Sequence, residues 1–243
     1  MLIELEGIIL SETPYGETSK IINVITKDKG VIGIMCKGAK SMKSPLRALT
    51  MPYTYCNFYI YYKENKLSTL KDIDLINSFN RIKQDIMLIS YVNYLSELTS
   101  QVAKTDYNES MFKIFSNCLI KIDMGFDPLV ITNILEIKYL DYLGISLNLD
   151  GCVSCGSNKE IITIDGDLGG YICKKCYNNE KIVNSKVIKL LRMYYLIDIN
   201  HISDIKIEDK VKLEINYFLN RYYDRYTGLY LKSKKFLDEL NNI

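Results

Sequence analysis

The chain has 243 residues, of which 48% are hydrophobic and 25% are charged, and its formal net charge is +2. This length and apolar content allow one large domain or two smaller ones, and the near-neutral charge leaves any argument about partners to local clusters. No run of 18 apolar residues occurs, and Glu4 and Glu6 stand where a signal peptide would be basic, so we expect a cytoplasmic protein without a membrane span.

Residues 1–76 predict β structure. Five apolar or alternating runs are separated by short polar turns, which favours a small barrel or sandwich, and the five-stranded OB-fold is one solution. Thr13-Pro14-Tyr15-Gly16, between the first two runs, suits a type I turn. The runs are EGIIL, SKIINVITK, GVIGIMCKG, TYCNFYIYYK and KLSTLKDIDLI.

Later residues change to a helical period. Two apolar stripes cover residues 82–102 and 112–122. Asp127-Pro128 marks a helix start, with an N-cap followed by proline, and this helix is expected to stop at Gly144. Ser185 opens a further helix, and a last one covers roughly residues 208–226. The pattern predicts strands first and helices second.

Four of the seven cysteines form two pairs with the spacing Cys152-x2-Cys155-x17-Cys173-x2-Cys176. This spacing is typical of a four-cysteine zinc site, and disulfides are rare in the cytosol. Four free thiols or a redox pair are the alternatives, although no βαβ pattern accompanies the pairs. Because four sulfur ligands leave no open position, we expect one structural zinc ion (Zn2+) per chain. The remaining cysteines, in apolar stretches, are predicted to be buried.

Residues 29–63 contain no acidic residue but combine basic and aromatic side chains. Lysine and arginine can neutralise phosphates, and aromatic rings can stack on unpaired bases, so the stretch favours binding of single-stranded nucleic acid. The alternative is a solvated lysine loop beside core aromatics. The aromatic residues are Tyr53, Tyr55, Phe58, Tyr59, Tyr61 and Tyr62.

No catalytic constellation is evident. Gly33 to Ser41 nearly matches a phosphate-binding loop, but Ala39 separates the second glycine from the lysine that the motif requires. His201 is the only histidine, and no nucleophile motif accompanies it. We therefore predict that the chain is not an enzyme. A zinc hydrolase or GTPase-activating protein, and a zinc-ribbon scaffold that binds no DNA, are the rival classes.

Several stretches, in order along nearly the whole chain, resemble the RecO family of bacterial recombination and repair proteins. They are PYGETSKIINVITKDKGVIGIMCKGAKSMKSPL, FDPLVITNILEIKYLDYLG, CVSCG with GGYICKKC, and LKSKKFL. The resemblance implies a multidomain α+β chain. Residues 1–78 would form a five-stranded OB-fold β-barrel that binds nucleic acid. Residues 79–243 would form an α-helical domain that carries a four-cysteine zinc module at about 150–179.

The resemblance also implies a function. RecO-like proteins bind single- and double-stranded DNA, anneal complementary strands and, with RecR, help to load RecA onto DNA coated by single-stranded-DNA-binding protein (SSB), whose C-terminal tail is a partner. A cytoplasmic, nucleoid-associated location follows. The basic face of the family's barrel corresponds here to Lys20, Lys37, Lys40, Lys43 and Arg47, with Arg81 at the junction.

Overall fold

The computed structural model describes residues 1–203 and 206–241. The chain divides into two compact units, the first made of Met1–Gly125 with the segment from Leu231 onward, the second of Phe126–Tyr230. The helices between residues 80 and 123 therefore belong to the same compact unit as the barrel. The sequence-based division at residues 78 and 79 groups them with the remaining helices, and it stays a prediction.

Five strands open the first unit and close into a barrel with the order β1-β2-β3-β5-β4. Neighbouring strands are antiparallel except β3 and β5, which are parallel and joined by two register pairs, Ile34 with Ser68 and Met35 with Thr69. The predicted five-stranded OB-fold is confirmed. The strands are β1 (Leu2–Tyr15), β2 (Ser19–Thr26), β3 (Gly30–Cys36), β4 (Tyr55–Tyr61) and β5 (Ser68–Asn77).

Alternation along the strands fills the barrel. In β4, Cys56, Phe58 and Ile60 are fully buried, while the residues between them face outward. Ile22 and Val24 of β2 contribute to the same core. Since each large apolar side chain removed from water stabilises the fold by roughly 1.5–3 kcal/mol, this inward stripe fixes the strand register.

The turn predicted at Thr13-Pro14-Tyr15-Gly16 is wrong. β1 continues through Thr13, Pro14 and Tyr15, which pair with β2, and the chain reverses after Tyr15. Proline is tolerated there because β1 pairs with β4 only over Leu2–Ile8. At Pro14, β1 has a single strand neighbour, so an N–H on its open side would have no strand to donate to.

The helices follow the predicted order. Asp127 accepts hydrogen bonds from the backbone N–H groups of Leu129 (2.9 Å) and Val130 (3.2 Å), which confirms the cap before Pro128. No described helix is both long and apolar enough to span a membrane. The helices are α1 (Leu46–Leu49), α2 (Asn80–Gln84), α3 (Ile86–Val102), α4 (Glu109–Asp123), α5 (Pro128–Tyr142), α6 (Ser185–Leu196), α7 (Asp209–Tyr226) and α8 (Lys232–Asn241).

The second unit is built around α5. This helix is buried on nearly all sides, as expected for a central helix, and α6 and α7 pack against it. A three-stranded sheet of order β6-β8-β7 completes the unit and carries the cysteine pairs. Its strands are β6 (Asn148–Cys152), β7 (Ile161–Asp165) and β8 (Gly170–Cys173).

Candidate metal centre and nucleic-acid interface

The two cysteine pairs meet in one cluster. The Sγ atoms of Cys152, Cys155, Cys173 and Cys176 all lie within 4.8 Å of one another. Those of Cys155 and Cys173 are 3.7 Å apart. Zinc–sulfur bonds of about 2.3 Å in a tetrahedron require sulfur atoms about 3.8 Å apart, so the donor set fits a tetrahedral ion.

Tight backbone turns place the sulfur atoms. The N–H of Gly156 donates to the carbonyl of Cys152 (2.7 Å), and the N–H of Cys176 donates to that of Cys173 (3.0 Å). Gly156 has φ +73°, a left-handed conformation that favours glycine. A Cβ on Gly151 would lie 2.7 Å from the carbonyl oxygen of Gly156, so the first turn also requires glycine there.

The four thiols differ in environment. Cys152 and Cys173 are buried, whereas Cys155 is exposed. Burial opposes the Cys152 thiolate, but backbone N–H groups of neighbouring residues donate to it, and the net effect lowers its pKa. Hydrogen bonding with Cys155, together with desolvation and the adjacent sulfur atoms, raises the pKa of Cys176. Thiolates this close together repel one another, and a bound metal cation would offset that repulsion.

Four of the predicted basic residues lie on one segment, residues 37–47 between β3 and β4, which we name the basic loop. Lys37, Lys40, Lys43 and Arg47 are all exposed. The loop contains no acidic residue. Because no carboxylate of the loop competes for them, its exposed cations can form ion pairs with the phosphates of a nucleic acid.

The basic loop is anchored to the turn between β1 and β2. The backbone N–H of Lys40 donates to the carbonyl of Thr18 (2.8 Å), and that of Gly38 donates to the hydroxyl of Ser19 (3.3 Å). The Lys40 ammonium group also contacts the Gly16 carbonyl at 3.2 Å. These bonds hold the loop against the barrel, so its cations occupy a defined part of the surface.

Comparison with known proteins shows which family the chain resembles. Residues 1–79 match the family described as "Recombination protein O N terminal", and residues 83–235 match "Recombination protein O C terminal". The "DNA repair protein RecO" of Halalkalibacterium halodurans is 34% identical over 247 residues, covering 100% of this chain and 97% of the relative.

The chain belongs to the RecO family. Its counterpart in Bacillus subtilis is 33% identical, with 100% of this chain and 96% of the relative covered. A RecO protein of Listeria monocytogenes is 32% identical, with 97% and 94% covered. Membership makes the chain a DNA repair protein, and the resemblance that the sequence suggested is confirmed.

Two further residues predicted as DNA contacts in this RecO-family chain lie outside the basic loop. Lys20 is 5% exposed, and its ammonium group forms an ion pair with Glu12 at 2.5 Å. Arg81 is exposed on α2, where a Cβ on Gly125 would lie 2.6 Å from its guanidinium nitrogen. The structure thus groups four of the six residues on the basic loop, while Lys20 is buried beside Cys36 at its base and Arg81 lies on α2.

The aromatic residues of the 29–63 stretch are mostly engaged within the first unit. Tyr55 stacks on Phe79 and donates its hydroxyl hydrogen bond to Glu6. Tyr59 faces Glu4 and Asp72 across the sheet, and a hydrogen bond with Asp74 raises its pKa. The outer face of β1, β4 and β5 is therefore acidic, a poor surface for phosphates.

Tyr15 is a residue that sequence reasoning passed over. It lies outside the acid-free stretch and is 57% exposed at the end of β1. Strand alternation does not single it out, because every residue from Ser11 to Tyr15 is exposed. Its place next to the turn that anchors the basic loop depends on contacts between residues far apart in sequence.

Proposed function

We propose that the chain is a DNA repair mediator that binds single- and double-stranded DNA, anneals complementary strands and, with RecR, helps to load RecA onto SSB-coated DNA. The observation that carries the proposal is the anchored basic loop with four exposed cations on the barrel of a RecO-family chain. The SSB C-terminal tail is a further proposed partner. No covalent chemistry is required for these activities, so we propose a protein without enzymatic turnover.

Annealing follows from charge. Two single strands repel each other because each carries a dense row of phosphates. A surface with several lysine and arginine side chains lowers that repulsion and holds both backbones close while the bases remain free to pair. Lys37, Lys40, Lys43 and Arg47 supply this charge in the proposal, and residues 1–78 act as the nucleic-acid-binding domain.

The cysteine cluster is proposed to hold one structural zinc ion. Cys152, Cys155, Cys173 and Cys176 would be its ligands, and the 3.7 Å separation of Cys155 and Cys173 supports this assignment. Four sulfur ligands leave no coordination position for a substrate. When bound, the ion supplies a cross-link between the two turns and the sheet β6-β8-β7, and it takes no part in a reaction.

The contacts can be tested by replacing two cations together. We expect the double variant Lys37→Ala, Lys40→Ala to bind DNA of every sequence more weakly. The dependence of log affinity on log salt should flatten by about 1.4, which is about 0.7 for each lost contact with a single strand. Titration of a fluorescent oligonucleotide across a salt series measures both quantities.

The matched control is Lys104→Ala, which removes an exposed lysine that lies outside the basic loop. This variant should keep the affinity and the salt dependence of the parent protein. A double variant with unchanged salt dependence would contradict the assignment of the basic loop. Absence of DNA binding by the parent protein at low salt would instead favour the zinc-ribbon scaffold without direct DNA contact.

A further inference from the structure

Tyr15 is the most exposed tyrosine of the barrel, followed by Tyr61 at 49%. It is 57% exposed, and it takes part in no ring–ring or cation–π pair with residues that the structure describes. By contrast, Tyr55 stacks on Phe79, and Tyr62 lies under the ammonium group of Lys29. An exposed ring on a rigid strand end is available to a ligand with a flat face.

The position of Tyr15 places it beside the basic loop. Tyr15 pairs with Ser19, and the hydroxyl of Ser19 accepts a hydrogen bond from the N–H of Gly38 at 3.3 Å. Lys20 pairs with Pro14 on one side and with Cys36 on the other, so Pro14 and Cys36 are two strand spacings apart, about 10 Å between their backbones. Tyr15 and Lys37 are the next residues of their respective segments. Extended lysine and tyrosine side chains can bridge this distance to a phosphate and its neighbouring base.

A second cation of the basic loop, Lys40, reaches the turn that follows Tyr15. The Lys40 ammonium group lies 3.2 Å from the carbonyl oxygen of Gly16, the residue that follows Tyr15. Gly16 has φ +61°, and a Cβ built there would meet no atom within 4 Å, so the surface above the turn is open. A strand bound through Lys37 and Lys40 can therefore approach the Tyr15 ring without a steric barrier from the turn.

We propose that Tyr15 stacks on an unpaired base of a DNA strand whose phosphates are held by the basic loop, and so makes the barrel prefer single strands to duplex. This inference rests on the proposed function, because it presupposes phosphate binding by the loop. In a duplex both faces of each base are already covered by neighbouring bases, so the ring gains a partner only when a base is unpaired.

The charges around Tyr15 are consistent with a base rather than a phosphate at the ring. Glu17, in the same turn, is exposed and disfavours a phosphate at that point. Glu12 is paired with the buried Lys20. The cations stand on the side of the basic loop, so the DNA backbone is drawn to the loop and the neutral base is left to face the ring.

The test compares Tyr15→Ala with the parent protein on a single-stranded oligonucleotide and on a duplex of the same length. One stacked base corresponds to about ten-fold in affinity, so Tyr15→Ala should bind the single strand about ten-fold more weakly. Duplex affinity should stay within about two-fold, and the salt dependence should not change, because no phosphate contact is lost. Tyr15→Phe, which keeps the ring, should bind the single strand as tightly as the parent protein does.

A second readout reports stacking directly. The fluorescence of 2-aminopurine in the single strand should be quenched by the parent protein and by Tyr15→Phe, but less by Tyr15→Ala. Tyr230→Ala is the matched control, because Tyr230 is 76% exposed and lies outside the barrel. It should behave as the parent protein does in every measurement.

Two results would overturn the proposal while leaving the proposed function intact. Tyr15→Ala could bind the single strand as the parent protein does, or it could lose single-strand and duplex binding equally. Circular dichroism and zinc content of each variant show whether it is folded. If the parent protein binds neither form of DNA at low salt, the proposed function fails, and the stacking role fails with it.

Discussion

Lys20 carries the charge expected of a DNA contact, yet its side chain is buried and ion-paired. Its side chain is 6% exposed and paired with Glu12, whereas the cations of the basic loop face solvent. Its assignment as a DNA contact stays a prediction, and its burial favours a structural role. Strand alternation predicts this burial, because Lys20 shares the inward face of β2 with Ile22 and Val24.

The structural role of Lys20 can be measured. Lys20→Ala leaves Glu12 without its partner and removes a buried aliphatic chain, so the free energy of unfolding should fall by about 1–2 kcal/mol, a modest value because Glu12 is 38% exposed. Urea unfolding measures this loss. The salt dependence of DNA binding should not change, whereas Lys40→Ala should show the opposite pattern. A flatter salt dependence with unchanged stability would make Lys20 a phosphate contact after all.

At the scale of elements, hydrophobic periodicity predicted the barrel strands and most of the helices, because each buries a face through its own residues. The structure confirms the alternation in TYCNFYIYYK and the Asp127-Pro128 cap. Helix α8 was missed because its N-terminus is capped from outside its own sequence. Glu97 of α3 accepts the backbone N–H of Ser233 at 2.8 Å across 136 residues of chain. No local pattern records such a partner.

The same limit explains the aromatic residues. The stretch 29–63 contains no acidic residue, yet Glu4, Glu6, Asp72 and Asp74 on β1 and β5 stand opposite residues of β4 in the sheet. Which charges surround a tyrosine depends on strand pairing, and pairing is set by contacts between residues far apart in sequence. The cysteine cluster was predictable because spacing within each pair is local and zinc geometry limits how the pairs can meet.

The cysteine module offers a prediction at this scale. Cys173→Ser should lower zinc affinity at least about 100-fold, since ligand loss exceeds the effect of losing an outer hydrogen bond, and the sheet β6-β8-β7 should lose protection against hydrogen exchange. The barrel strands should keep theirs. Lys174→Ala, in the same turn but not a ligand, should retain zinc and protection. A Cys173→Ser protein with a full zinc content would contradict the assignment.

At the scale of the whole molecule, the net charge of +2 hides an uneven distribution. Exposed cations gather on the basic loop, and carboxylates gather on the outer face of β1, β4 and β5. A nearly neutral protein can bind a polyanion when its cations act together over a surface comparable with the Debye length of about 10 Å. We therefore propose that DNA binding depends on the anchored basic loop.

The most direct test is the affinity of the unmodified protein for a fluorescent single-stranded oligonucleotide across a salt series, with zinc content determined on the same sample. Four phosphate contacts predict submicromolar affinity at low salt, a log–log slope of about −3, and one zinc ion per chain. Zinc-loaded protein that fails to bind the oligonucleotide at low salt would contradict the account and would favour the scaffold without DNA contact.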